Sequence, residues 1–378
     1  MTTMLLKNLI DNLNSKISNL KIRKISSDSR KIQKGDLFVS IKGNKLDGNK
    51  FIDHAILKGA KVVVYSGLIK KKYKNITYIK TKNTREKLAE ISSKYFKKKP
   101  KNIIAVTGTN GKTSVSDFFH QIFTLNNKPV GLLGTLGFKK NNNLKKRQLT
   151  TLDSLNLHKD LEEMKKSKID NVIIEASSHG LHQKRLHHLS LNAAIFTNFS
   201  QDHLDYHKTL KKYFSAKLIL FKKLSNKNSY LITDNKNPEF NVLKKIAKKK
   251  KFRVKLINNL EKKDQLKNFN LIGNFQKKNL SMAILACEIV GLKRKKIISC
   301  LSRIKSVKGR LELVRTFKGN RKAFIDFAHT PDAIKNAINT LKSSFKNNIT
   351  IVVGCGGERD KSKRGKIGKI INNLCDKI

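Results

Sequence analysis

The residues with the clearest chemical purpose are Gly108, Thr109, Asn110, Gly111, Lys112, Thr113 and Ser114. They follow the apolar run Ile103-Ile104-Ala105-Val106 and precede the helical pattern Val115-Ser116-Asp117-Phe118-Phe119. A buried strand that feeds a glycine-flanked turn and then a helix points backbone N–H groups, and the positive helix N-terminus, at one anion. That is a phosphate-binding loop. Lys112 would reach the β- and γ-phosphates of a nucleotide and the Thr113 hydroxyl would meet Mg²⁺. The usual first glycine of the G-x-x-x-x-G-K-[ST] pattern is missing, so the context of strand and helix carries the reading.

The surrounding pattern supplies the scaffold for such a loop. From 101 to 305, strands at 130–133, 171–175, 193–199 and 229–233 alternate with helices at 154–166, 208–224, 239–249 and 279–290. This alternation predicts an α/β fold with a central, mostly parallel sheet covered by helices on both faces. Ligands then collect beyond the carboxyl ends of the strands. Residues 1–100 carry short strand and helix patterns and the turn-rich stretch Ser26-Ser27-Asp28-Ser29-Arg30, and Lys97-Lys98-Lys99-Pro100 reads as a linker. After Gly309-Arg310-Leu311-Glu312 a third unit begins, with strands at 322–327 and 350–354 around a helix at 332–343. A parallel pair of strands cannot bury both faces, so 306–378 reads as an incomplete, C-terminally truncated unit. The expected domains are 1–100, 101–305 and 306–378.

With 378 residues the chain is long enough for two or three cores. Its 82 Lys+Arg against 27 Asp+Glu give a formal charge of +55, the footprint of a nucleic-acid binder. The excess is mostly lysine spread over every region together with many Asn and Ile, which reads instead as solvated faces; no specific nucleic-acid partner is expected. Anionic substrates would still be attracted. No apolar run reaches the roughly 18 residues that span a bilayer, and the N-terminus lacks a signal-peptide core, so no membrane partner and a cytoplasmic protein are expected; a monomer is expected as well. Cys287, Cys300, Cys355 and Cys375 have no metal or disulfide spacing.

Five motifs in order, Thr107 to Thr113, Glu175-Ala176-Ser177-Ser178-His179-Gly180-Leu181, Thr197 to His207, Asp326-Phe327-Ala328-His329-Thr330-Pro331-Asp332 and Gly354 to Lys361, together resemble the Mur ligases, above all the branch that adds the third residue of the peptidoglycan stem peptide. The resemblance implies three domains: one binding a UDP-sugar, a central ATPase, and a Rossmann-like one for nucleotide and amino acid. It implies ATP-dependent amide formation between UDP-N-acetylmuramoyl-L-alanyl-D-glutamate and meso-diaminopimelate through an acyl phosphate. Two polyanions must meet there, so cations and anion nests are needed rather than a protein nucleophile.

The resemblance also implies roles. Lys112, Lys217 and His203 would be catalytic, and Thr113, Glu175, His203 and Lys217 would hold Mg²⁺, with Lys217 as a carbamate because an ammonium would repel the metal. Nucleotide contacts would come from Gly108, Thr109, Asn110, Gly111, Lys112, Thr113, Ser114, Asn279, Arg310, Asp326 and His329. Ser27, Ser29, Asn44 and Lys45 fall where uridine binds; Thr150, Thr151, Ser177, Gln183 and Arg185 fall where the muramoyl-peptide binds; Arg359 matches a contact to the amino acid. Within the superfamily, a folylpolyglutamate or cyanophycin type of ligase shares the loop and the modified lysine but not the Ser27-Asp28-Ser29-Arg30 segment. A lysine-adding homologue remains an alternative, as does a basic P-loop ATPase acting on nucleic acid. Against the last, Val172-Ile173-Ile174-Glu175 runs into Ala-Ser-Ser-His rather than a second acidic residue.

Overall fold

In the computed structural model, which describes residues 3–43, 46–257, 271–345, 348–355 and 360–377, the chain divides into two units. The first comprises Met1–Lys99, Leu152–Ser167 and His182–Leu189, the second Pro100–Thr151, Lys168–Leu181 and Ser190–Ile378. The first unit is built on four parallel strands in sequential order, β1 (Ile25–Ser26), β2 (Asp36–Val39), β3 (Ala60–Tyr65) and β4 (Thr77–Lys80). Side chains alternate across a strand: Leu37, Val39, Val62 and Val64 pack on one face with Leu88 and Ile91 of helix α1 (Thr84–Tyr95). Phe38, Val63 and Tyr65 pack on the other with Ile52 and Ala55. Both faces are buried, as parallel strands require.

Helix α3 (Ser154–Lys166), capped by Asp153 accepting from the Asn156 N–H, belongs to this first unit although the sequence places it inside the second expected domain. It carries His158, which is 0% exposed. Burial, reinforced by nearby Lys99, lowers the pKa of His158 to about 3. Below about 6.5 the unfolded chain takes up a proton that the folded chain refuses, so stability falls as the pH drops from 6.5 toward 3. At pH 5 the deficit amounts to about 2 kcal/mol. Urea unfolding at pH 7 and pH 5 is expected to show His158→Leu losing about 2 kcal/mol less than wild type on acidification; equal losses would contradict the assignment.

The second unit is organised by β5 (Asn102–Thr107), followed by helix α2 (Lys112–Leu125), β6 (Gly131–Gly134), β7 (Gly137–Lys140), β8 (Asn143–Lys145), β9 (Asn171–Glu175), β10 (Leu191–Phe196), β11 (Ser225–Thr233) and β12 (Arg253–Leu256). The sheet order is β8-β7-β6-β9-β5-β10-β11-β12, parallel except for the antiparallel β6-β7-β8 edge. Neighbours of β5 lie on opposite sides of it, with Ile173 of β9 opposite Ile104 and Ala194 of β10 opposite Ala105. That reversal opens a crevice at the carboxyl end of β5. Helix α2 buries Val115, Phe118, Phe119, Ile122 and Phe123 in one core with Leu280, Ala283, Ile284 and Cys287 of the helix Asn274–Ile289.

Three expectations need correction. The last helix of the central region starts at Asn274, not 279, because Gly273 at φ 98° supplies the turn before it. The 306–378 region holds an antiparallel hairpin, Glu312–Thr316 with Lys322–Ile325, rather than a parallel pair; Gly319 and Asn320 take positive φ in its turn. Residues 350–354 form no strand. Their β-branched side chains favour one, yet among the described residues the only pairing is an isolated bridge from Thr350 to Lys377, and Val352 is 98% exposed. Helices Pro331–Phe345 and Arg364–Leu374 pack through Ile334, Ile338, Ile367 and Ile371.

Candidate active site

The loop after β5 is held by backbone geometry that side chains would obstruct. Gly108 has φ 149°, and a Cβ there would collide with the Thr197 hydroxyl; Gly111 has φ 86°, and its Cβ would stand 2.5 Å from Asn279 Oδ1. Glycine relieves both constraints. The Thr109 N–H donates to the Asn198 carbonyl (3.0 Å) and the Asn110 N–H to Asn198 Oδ1 (2.9 Å). Lys112 lies at the start of α2, and its Nζ donates to the Gly108 and Thr109 carbonyls at 2.9 and 2.8 Å. Desolvation pulls its pKa down, with Glu175 and Asp202 opposing.

Glu175 ends β9 and is 0% exposed. It accepts from the Thr135 N–H (2.9 Å), the Thr135 hydroxyl (3.0 Å) and the Thr113 hydroxyl (3.0 Å). Burial raises its pKa, although these donors and Lys112 counter that. Thr113 in turn accepts from Arg310 Nη2 at 3.1 Å. Beside this carboxylate, Thr150 Oγ1 lies 3.1 Å from Thr135 Oγ1, and Thr151 Oγ1 lies 2.7 Å from the Glu175 carbonyl while accepting from the Ser177 N–H.

His203 caps the short helix Leu204–His207 in left-handed conformation, φ 54°. Its ring meets His179 edge-on at 4.8 Å. Burial lowers its pKa to about 3, with His179, Lys112 and Lys217 contributing and Asp202 opposing. Asp202 is itself 3% exposed; burial raises its pKa, but His329, His203 and Lys363 outweigh that and pull it down. Lys217, on the helix Leu210–Ile219, is 1% exposed; its Nζ donates to the Gly108 carbonyl at 2.7 Å and stands 4.3 Å from the Tyr213 ring. Burial, then Lys112, lowers its pKa well below the usual lysine range, with Asp202 opposing. Among the described residues the Lys217 hydrogen bond is to a carbonyl rather than a carboxylate, and a buried amine so placed is held toward its neutral, nucleophilic form.

Lys112, Thr113, Glu175, His203 and Lys217 converge on one cavity of about 530 Å³ that is also lined by Ser114, Ser177, Asn279, Arg310, Asp326 and His329, while Gly108 and Thr151 are not among its lining residues. Asp326 accepts from the Leu311 and Ala328 N–H groups at 2.7 and 2.6 Å, and burial raises its pKa. Ser27 and Ser29 line a second cavity, of about 770 Å³, within the first unit. Gln183 and Arg185 also lie in the first unit, where Arg85 and Arg185 both donate to Gln183 Oε1. Asn44, Lys45 and Arg359 lie outside the described residues.

Several lining groups escape motif reading. Thr135 follows β6, in the Gly134-Thr135-Leu136-Gly137 turn beside β9, and a strand-end position was its available signal. His54, whose Nδ1 lies 3.0 Å from Ser29 Oγ in the first unit's cavity, is 25 residues from Ser29 and carries no local signal.

A phosphate loop at a strand switch point, paired with a buried carboxylate and a desolvated lysine, is the arrangement of a nucleotide-phosphate site. Residues 21–96 match the Mur ligase family catalytic domain, 106–290 the Mur ligase middle domain and 309–378 the Mur ligase glutamate ligase domain. The chain is 36% identical over 402 residues to the UDP-N-acetylmuramoyl-L-alanyl-D-glutamate–2,6-diaminopimelate ligase of Clostridium tetani, covering 99% of this chain and 82% of that one. The enzyme of the same name from Rickettsia montanensis is 36% identical over 394 residues, covering 97% and 81%. A solved structure of a ligase of that name superposes with TM-score 0.77 at 26% identity, covering 99% of this chain and 81% of that one. The chain belongs to the Mur ligase family and is an ATP-dependent ligase of peptidoglycan synthesis.

Proposed function

We propose that this ligase joins meso-diaminopimelate to UDP-N-acetylmuramoyl-L-alanyl-D-glutamate, the pair for which its Clostridium tetani and Rickettsia montanensis relatives are named. The observation that carries the reading is the convergence of Lys112, Thr113, Glu175, His203 and Lys217 on one cavity. Residues 1–100 would bind the UDP-sugar, through Ser27 and Ser29; 101–305 would bind ATP; 306–378 would close over the nucleotide and receive the amino acid. The reading includes a monomer in the cytoplasm. Among the described residues no helix is long and apolar enough to cross a membrane.

In this reading the substrate carboxylate attacks the γ-phosphorus of ATP and ADP leaves. The neutral amine then attacks the acyl-phosphate carbonyl, a C–N bond forms as the C–O bond to the phosphate breaks, and inorganic phosphate leaves while the nitrogen releases one proton to solvent. Lys112 would neutralise the transferring phosphate, and Arg310 would hold the Thr113 hydroxyl in place. Among the described residues no group of three or more His, Cys, Asp or Glu side chains is arranged to hold a metal ion, so the donor set for Mg²⁺ is sparse. Thr113 and Glu175 offer hard oxygens 3.0 Å apart, which suits that cation. Mg²⁺ supplies charge neutralisation on the phosphates when bound. His203 and Lys217 would hold a second ion only once Lys217 is anionic. The neutral Nζ of Lys217 attacks the carbon of CO₂, an N–C bond forms, and one proton leaves to solvent, giving the carbamate.

The diamino acid is tested by phosphate release with ATP and the UDP-dipeptide. Release with meso-diaminopimelate is expected to exceed that with L-lysine at least about tenfold, the discrimination expected when buried polar groups lose a partner. The opposite preference would establish the lysine-adding alternative.

A further inference from the structure

Among the contacts between the C-terminal segment and the cavity, one set gathers on two adjacent residues, Gln201 and Asp202. Asp202 Oδ1 accepts from Lys363 Nζ at 3.0 Å and from the His203 N–H at 2.9 Å. Its Oδ2 lies 3.2 Å from His329 Nε2 and 3.3 Å from His203 Nε2. At the more exposed rim, Gln201 donates to Ser362 Oγ at 2.9 Å and accepts from Lys366 Nζ at 2.6 Å. Lys363 is 7% exposed, so both members of the Asp202–Lys363 pair are buried. A buried carboxylate is tolerated only with its partners in place, and the two from the C-terminal segment lie 127 and 161 residues further along the chain. Seating of the segment and burial of Asp202 are therefore one event.

We propose that Asp202 is a positioning residue, the centre of a clasp with Lys363 and His329 that couples seating of the C-terminal segment to the orientation of His203 at the nucleotide site. The coupling runs both ways. Fixing Asp202 from the C-terminal side holds the loop that presents His203, and occupying the nucleotide site restrains the same loop and so favours the seated segment. Asp332, near Asn110, and Arg310, on Thr113, also face the cavity from the C-terminal side, and the hydrogen bonds they make there run to the phosphate loop and the start of α2. The inference rests on reading this cavity as the nucleotide site.

The test uses the full chain, calorimetric affinity for Mg·ADP and amide hydrogen exchange. Lys363→Met is expected to weaken Mg·ADP about tenfold and to speed exchange in Arg364–Leu374 by a similar factor, while Asn102–Thr107 stays unchanged. Lys363→Arg, which keeps the charge, restores both to within about threefold. A role confined to packing would lower Tm and leave the affinity alone. Should Lys363→Met lose cooperative unfolding, Lys366→Met at an exposed position carries the test, with a loss of about threefold expected. A folded Lys363→Met with wild-type affinity overturns the clasp. Failure of the wild type itself to bind Mg·ADP overturns the nucleotide-site reading, and the clasp with it.

Discussion

Lys112→Ala is expected to lower ATP-dependent ligation by about 10³-fold, the scale seen when a donor to developing transition-state charge is deleted. The lysine sits at the start of α2 with its Nζ on the Gly108 and Thr109 carbonyls, poised at the mouth of the loop. Its removal leaves the glycine turn and the helix N-terminus intact, so the loss falls on the phosphates. Binding of the UDP-dipeptide is expected to stay within about twofold, because Ser27 and Ser29 line a cavity built within the first unit alone. Calorimetry with each ligand separates the two effects. Equal loss of both would contradict the assignment of nucleotide and UDP-sugar to different units.

Lys217→Ala is expected to cost about as much, for a different reason. Lys217 is buried beside Tyr213 with a carbonyl as its hydrogen-bond partner, and such an amine contributes nothing to a cation site until it is made anionic. If the carbamate is the working form, millimolar short carboxylates such as acetate should return part of the activity of Lys217→Ala by placing oxygens where the carbamate stood. Removing CO₂ from the buffer should lower wild-type activity. An active Lys217→Ala, or a variant that no small acid rescues alongside a wild type indifferent to CO₂, would sink the role.

The site was legible where function concentrates in contiguous residues. Gly108 to Ser114 reads directly because strand, turn and helix are all local, and Glu175 reads as a strand end because β9 is a run of apolar residues closed by one acid. The partners of these residues were not legible. Thr135 reaches Glu175 across 40 residues, and Lys363 reaches Asp202 across 161; such pairings are decided by sheet order, which no local pattern encodes. The same limit explains where the fold departs from the local pattern. Residues 350–354 have strand propensity, but a strand exists only against a neighbour, and 312–316 found its neighbour across a turn at Gly319. Helix α3 is legible as a helix from its sequence. Its packing against α1 in the first unit was not readable, since an amphipathic stripe does not name its partner.

The most direct test of the central claim is chemical trapping of the activated acid. The protein is incubated with Mg·ATP, the UDP-dipeptide and hydroxylamine, without any diamino acid, and the hydroxamate of the dipeptide is counted by mass spectrometry against ADP formed. One hydroxamate per ADP, absent without the UDP-dipeptide and absent in Lys112→Ala, is the predicted result. ADP that appears without hydroxamate, or equally well without the UDP-dipeptide, would contradict it.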